Sequence, residues 1–417
     1  MEDPSGNDRS KHRRLWDELG TNSPLILEHA ELWRVEIPFH APVGTAVGSI
    51  RTRPLVLVCL HCRDATGGSP VEGWGECAAL ADTTFDPEDV AIAWNSLVQV
   101  LLPALSAAAS EYAGALPPVR ALRSIATLAP ARPLAFAALE MAVGDAHLRA
   151  SGRSFAELIG VAGAEVEPGA VLGVPVSVDE LLHGVESLRD QGYVRVKVKV
   201  SPGTELTTTH ALAHWAETTS GPVPRFQVDA NGAFGPDDMD LLAGLDRFGL
   251  LCIEQPFDRH DIESHRRLAA RMITPICLDE TLDGANRVAE SVTSGACSVV
   301  CVKQSRLGGI GVALEVIDWC TANGIPWWIG GMFESGFARR VTTALAALPG
   351  RSLPGDLAPP STYLAGDLVD PMVGHQDPVS GRLALAVDGP AGMGPSPDRS
   401  LLERWVVRRI DIPLLAG

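Results

Sequence analysis

Residues 194–200 read VRVKVKV, and the rest of the chain is organised around how this run folds. Side chains alternate faces along a strand, so Val194, Val196, Val198 and Val200 share one face, while Arg195, Lys197 and Lys199 share the other. Outward, the same grammar repeats. AVLGVPV (170–176), RFQVDA (225–230), LLCIEQ (250–255), ITPICLDE (273–280), SVVCVKQ (298–304), IPWWIGG (325–331) and a last run near SLPGDL (352–357) are short and apolar, and amphipathic helical stretches separate them. Strands alternating with helices predict a parallel sheet built of βα units, and eight strands are the number that closes a barrel. Asp229, Glu254, Asp279 and Lys303 follow one another at spacings of 25, 25 and 24 residues. One polar residue thus ends each strand, on the rim where such barrels carry their chemistry.

The chain holds only four lysines, Lys11, Lys197, Lys199 and Lys303, against 30 arginines. Arginine stays charged, whereas a lysine whose pKa is lowered can act as a base. Three of the four lie in strand-like segments, which marks them as catalytic candidates rather than solvated surface charge. With an ordinary pKa near 10.4, a lysine base needs its pKa to fall by about three pH units, or about 4 kcal/mol, which burial and neighbouring cations supply. Asp229, Glu254 and Asp279 bring three carboxylates to one rim with no arginine in their own motifs. Alone, each is more often a helix cap or a salt-bridge partner; together they suit a hard divalent cation, Mg²⁺ by default or Mn²⁺. Asn231, in VDANG, points the same way as Asp229 and is a candidate hydrogen-bond partner. The glycines of RLGGIG lack a P-loop lysine or an acidic ribose partner and carry no phosphate signal.

Composition sets the bounds. A chain of 417 residues, 46% hydrophobic and 20% charged, buries a large core, and its net charge of -17 argues against nucleic acid. The N-terminus lacks the apolar stretch of a secretory signal, and no uninterrupted apolar run of 18 residues occurs, so a cytoplasmic protein with no membrane partner is expected. Most of the eight cysteines sit in apolar runs and read as buried free thiols. Cys59 and Cys62 have CxxC spacing, but within a strand residues three apart face opposite sides and cannot share a metal. Residues 1–27 are polar and aperiodic, which predicts a disordered extension. An α+β module follows over 28–165, then the barrel over 166–358, then a segment over 359–417 returning to the module.

The motifs KVKV, FQVDANG, LLCIEQPF, ICLDET, VKQSRLGG and WIGGMFESGFAR, in this order, resemble the o-succinylbenzoate synthase and N-acylamino acid racemase branch of the enolase superfamily. The resemblance spans about residues 30 to 400; EGWGECAAL and ALEMAVGDAHLRA look like the branch's capping domain, and GDLAPPSTYLAGDLVDP like its return from the barrel. It implies an α/β fold, a (β/α)8-like (β/α)7β barrel with a split α+β cap. It further implies Lys199 as acid/base, Lys303 as the opposite lysine, Mg²⁺ on Asp229, Glu254 and Asp279, and a first cap loop, 41–53, that closes over substrate. Lys197 joins the catalytic set, and Arg306, Gly331, Met332 and Glu334 are taken as substrate contacts or their supports.

The activity this implies is Mg²⁺-dependent removal of a proton α to a carboxylate. The favoured form is the menaquinone-pathway dehydration of 2-succinyl-6-hydroxy-2,4-cyclohexadiene-1-carboxylate to 2-succinylbenzoate, and the other form is racemisation, epimerisation or cycloisomerisation. A non-catalytic binding protein on the same fold would have lost lysines or carboxylates, and none is lost here. Expected partners are a small anionic carboxylate and further copies of the chain. KQSRLGG replaces the KPGRVGG common in relatives, and the lid APVGTAVGS lacks their aromatic and arginine. Both departures bear on substrate rather than on chemistry.

Overall fold

The computed structural model describes residues 11–23, 25–45 and 48–414. A long antiparallel hairpin, β1 (Leu25–Thr45) and β2 (Gly48–Asp64), leads into β3 (Pro70–Cys77). β14 (Val406–Pro413), at the other end of the chain, pairs with β1 to complete a four-stranded sheet of order β14-β1-β2-β3. The helix Pro133–Ala150 lies across β3, and Gly73 and Gly75 allow that approach. A Cβ at either glycine would strike the backbone of Ala138 or Ala142. Val90–Glu111 is a continuous helical rod with a π turn at Leu97–Leu101, just before Pro103, whose ring cannot continue the ordinary ladder. By length and composition it could cross a bilayer; its Val90, Trp94, Leu97 and Leu101 are buried in the cap core.

β4 (Ala164–Val166) joins β12 (His375–Gln376) and β13 (Leu383–Val387) in a small separate sheet. The barrel is a curled parallel sheet of seven strands: β5 (Ala170–Leu172), β6 (Arg195–Lys199), β7 (Arg225–Asp229), β8 (Ile253–Glu254), β9 (Ile276–Leu278), β10 (Val299–Val302) and β11 (Trp327–Ile329). The eighth expected strand is reduced to the segment Arg351–Asp356. It makes one bridge to Trp327 on one edge of the sheet and one to Gly169 beside the other, and so joins the two edges. Pro354 has no N–H to give a ladder, and the segment between the two bridges is irregular. On β6 the alternation holds: Val196, Val198 and Val200 enter the main apolar core, and Arg195, Lys197 and Lys199 are buried on the opposite face.

The expectation of disorder through residue 27 is corrected over the described residues. Lys11–Asp17 is a helix whose Trp16 is fully buried against Gly144, with its indole N–H donated to Glu140 at 3.1 Å. Residues 1–10 lie outside the described residues. The lid segment 41–53 is corrected as well. Residues 46–47 lie outside the described residues; 41–45 and 48–53 belong to β1 and β2 rather than to a loop, and Arg53 belongs to the core, fully buried and donating to the carbonyls of Ala78, Ala79 and Phe333.

Candidate active site

The strand ends open into a cavity of about 1030 Å³, lined from the barrel by Lys197, Lys199, Asp229, Lys303 and Arg306 and from the cap by Leu80 and Phe85. Lys199 and Lys303 end the second and sixth positions of an eight-position ring, so they approach the cavity from opposite sides. Lys199 Nζ lies 3.2 Å from Asp229 and donates to Asn231 Oδ1, as the VDANG motif suggested. Asn231 also donates to Glu280 at 3.0 Å. Lys303 Nζ is 2.6 Å from Asp279, and Lys197 Nζ sits between Glu254 at 3.0 Å and Asp356 at 2.7 Å.

Electrostatics revise two expectations. Burial is the largest influence on Lys303 and works to lower its pKa, but Asp279, with Cys301 behind it, leaves the group above its ordinary value. Lys197 is likewise held well above the ordinary lysine range, because Asp356, Glu254 and Asp229 overcome its burial. Both are therefore held as ammonium groups against these carboxylates. The carboxylates also do not stand without arginine: Arg306, from the turn after β10, binds Asp279 while gripping Asp86 of the cap at 2.8 and 3.0 Å. Burial would raise Asp229, yet Lys199 and Lys197 hold it below its usual value. Glu254 goes the other way, pushed well up by burial and then by Asp229.

Three residues just past strand ends, Asn231, Gln255 and Phe333, have positive φ of 45°, 39° and 54°, a strained conformation that gathers at functional rims. Gln255 uses its strain. Its side-chain oxygen accepts from the backbone N–H of Asp279 at 3.0 Å and of Thr281 at 3.2 Å, which fixes the turn carrying Asp279 and Glu280.

Residues 170–400 match the family described as enolase C-terminal domain-like, and residues 29–160 match the mandelate racemase / muconate lactonizing enzyme N-terminal domain. The chain belongs to the enolase superfamily. Among relatives, an N-succinylamino acid racemase from Amycolatopsis is 38% identical over 92% of this chain and 98% of its own length. An o-succinylbenzoate synthase from Geobacillus kaustophilus is 32% identical over 91% and 96%. A solved enolase superfamily structure from Listeria innocua superposes with a TM-score of 0.83 at 29% identity, covering 94% of this chain and all of that one.

Enolase superfamily members are enzymes that typically bind Mg²⁺, and the residues here fit such an ion. Asp229, Glu254 and Asp279 are all buried on adjacent strand ends, with Asp229 in register with Glu254. Glu280 Oε2, buried beside them at the cavity wall, has no hydrogen-bond partner among the described residues. Hard oxygen donors with one valence unmet are what a divalent cation takes. Of the other residues singled out in the sequence, Arg306, Gly331 and Met332 line the cavity. Glu334 is not among the lining residues: it is buried behind the wall, ion-paired at 2.8 Å with Arg339, which does line the cavity. Sequence reading missed Glu280, Gln255 and Asp356. The adjacent acids Asp279 and Glu280 carried a signal for the first, and the bridge from Asp356 to Gly169 carried none.

Proposed function

We propose that this enolase superfamily member removes a proton α to a carboxylate of a succinyl-bearing substrate, and that its activity is o-succinylbenzoate synthesis. The reading is carried by Lys199 and Lys303 facing one cavity from opposite sides beside three buried carboxylates. Lys199 takes the proton from the carbon next to the carboxylate. The ammonium of Lys303 faces the enediolate that results and spreads its charge. The proton on Lys199 then goes to the departing hydroxyl on the same face, so the carbon–oxygen bond breaks as water leaves and the ring becomes aromatic. Mg²⁺ bound at Asp229, Glu254 and Asp279 would supply a Lewis acid for the substrate carboxylate. Apolar side chains at the cavity wall, Val171, Leu172 and Tyr193 among them, exclude water around the rest of the substrate.

A second reading, racemisation of N-succinylamino acids, is favoured by the second lysine, which stands where a proton donor to the opposite face is required. Purified protein should convert the cyclohexadiene carboxylate to 2-succinylbenzoate, followed by ultraviolet absorbance. Exhaustive chelation should abolish the turnover and Mg²⁺ or Mn²⁺ restore it. Full turnover in metal-free protein overturns the metal's part, and racemisation without dehydration overturns the choice between the readings.

A further inference from the structure

Away from the barrel, the β1–β2 ladder places four metal-binding side chains at the corners of one rectangle. His29 stands opposite His61, and two residues on, Glu31 stands opposite Cys59. Alternation puts all four on the same face of the sheet. β3 adds Glu72 opposite His61. His61 Nε2 lies 3.3 Å from Glu31 Oε1 and 3.5 Å from Cys59 Sγ. One ligand atom each of His29, Glu31 and His61 falls within 4.8 Å of the others, as does one each of Cys59, His61 and Glu72, and the imidazoles of His29 and His61, stacked 4.1 Å apart at 7°, must turn out of parallel before both lone pairs reach one ion. Ligand bonds of about 2.0–2.3 Å at tetrahedral angles set donor–donor edges of about 3.3–3.7 Å, so two of the edges already match.

We propose that His29, Glu31, Cys59 and His61 form a second metal site, on the cap, for a borderline-soft divalent cation of the Zn²⁺ type. Two imidazoles and a thiol make it a nitrogen- and sulfur-rich set for which Mg²⁺ does not compete, whereas the barrel cluster is carboxylate-dominated with Cys301 beside Glu254 and Asp279, so Cys59→Ser decides which thiol gives a charge-transfer band. The CxxC spacing of Cys59 and Cys62 is irrelevant to it, since Cys62 lies on the other face. With 18% of its side chain exposed, His61 leaves a way in for the ion. The competitor is Arg399, which donates to Glu31 and to Glu72 at 2.8 Å each, with Arg409 a further 3.3 Å from Glu31. A bound cation must displace or tolerate that guanidinium, and this gives the proposal a gain-of-affinity test.

The experiment uses the full chain, stripped by chelator, dialysed and held in excess Mg²⁺. Co²⁺ is titrated by absorption and Zn²⁺ by calorimetry. One equivalent of Co²⁺ should give the visible bands of a tetrahedral ion with a near-ultraviolet thiolate charge-transfer band. Cys59→Ser should lose the charge-transfer band and keep the visible ones. His61→Ala and His29→Ala should each weaken Zn²⁺ by roughly 100-fold, with melting curves in the absence of metal matching the parent. Arg399→Ala should tighten Zn²⁺ several-fold, an outcome that misfolding cannot imitate. The proposal is overturned if Zn²⁺ fails to bind in excess Mg²⁺, if His61→Ala binds it as the parent does, or if Glu254→Gln rather than His61→Ala removes the spectrum.

Discussion

At the residue scale, the two lysines at the cavity differ in what holds them. Lys199 leans on Asp229 and Asn231, whereas Lys303 is held charged against Asp279. Dehydration on one face needs a single base, so Lys303 need only remain cationic; racemisation needs it to lend and take a proton on the other face. Lys303→Arg keeps the charge and forbids proton transfer, at some loss in both reactions because the guanidinium is larger. Dehydration should therefore retain more of its kcat/KM than N-succinylamino acid racemisation does, by about tenfold or about 1.4 kcal/mol, and Lys199→Arg should remove both. Racemisation spared while dehydration is destroyed would reverse the assigned roles. These lysines were legible in the sequence because strand alternation marks Lys199 and a step of 24 residues from Asp279 leads to Lys303. Asp356 and Arg306–Asp86 were not, since the first depends on how the sheet edges meet and the second joins residues 220 apart.

At the scale of elements, the hairpin tip is where reading and structure part. Its small residues and glycines resembled a loop, but the β1–β2 ladder resumes from Val43 to Thr45 after a break at Pro38. Ala41, Pro42, Val43, Ser49 and Ile50 line the cavity, while Ala41, Pro42 and Ser49 are also exposed. Below the tip, the hairpin is anchored, since His40 N–H donates to the Tyr363 carbonyl at 2.9 Å and Arg53 is buried. Exposed tip residues add little to folding, so a role over the substrate can be tested apart from stability. Replacing 41–52 with a short Gly/Ser turn and keeping Arg53 should cut kcat/KM while the melting temperature stays nearly unchanged. Unchanged steady-state constants would refute a gating role. The N-terminal helix escaped notice for a related reason: seven residues are too few to show a period, and its order comes from Trp16 docking against Gly144 and Glu140.

At the scale of the whole molecule, cap and barrel are joined by buried polar groups, which makes their union sensitive to pH. Glu76 ends β3 of the cap and accepts from the backbone N–H of Ser335 at 3.0 Å and from its hydroxyl, at the start of the barrel helix Gly336–Ala346. Burial pushes its pKa up to about 7, further than Ser335 and Arg53 draw it down. Glu88, which caps the cap's long helix through Leu134 and Ala135 N–H, is also raised to about 7 by burial. An acid whose folded pKa lies above its unfolded value near 4.5 keeps its proton longer in the native state. Its effect on stability is therefore absent below about pH 4.5, grows unfavourable as pH rises through the window to about 7, and levels off above it. The cost reaches ~3 kcal/mol per group at most. Glu76→Gln cannot titrate and retains an acceptor for the Ser335 N–H. The drop in urea-unfolding stability between pH 5 and pH 7.5 should be smaller in Glu76→Gln than in the parent, with Glu88→Gln giving a second, separate reduction. Parallel curves for Glu76→Gln and the parent would mean that Glu76 is ionised throughout and that Arg53, rather than a proton, balances it at the joint.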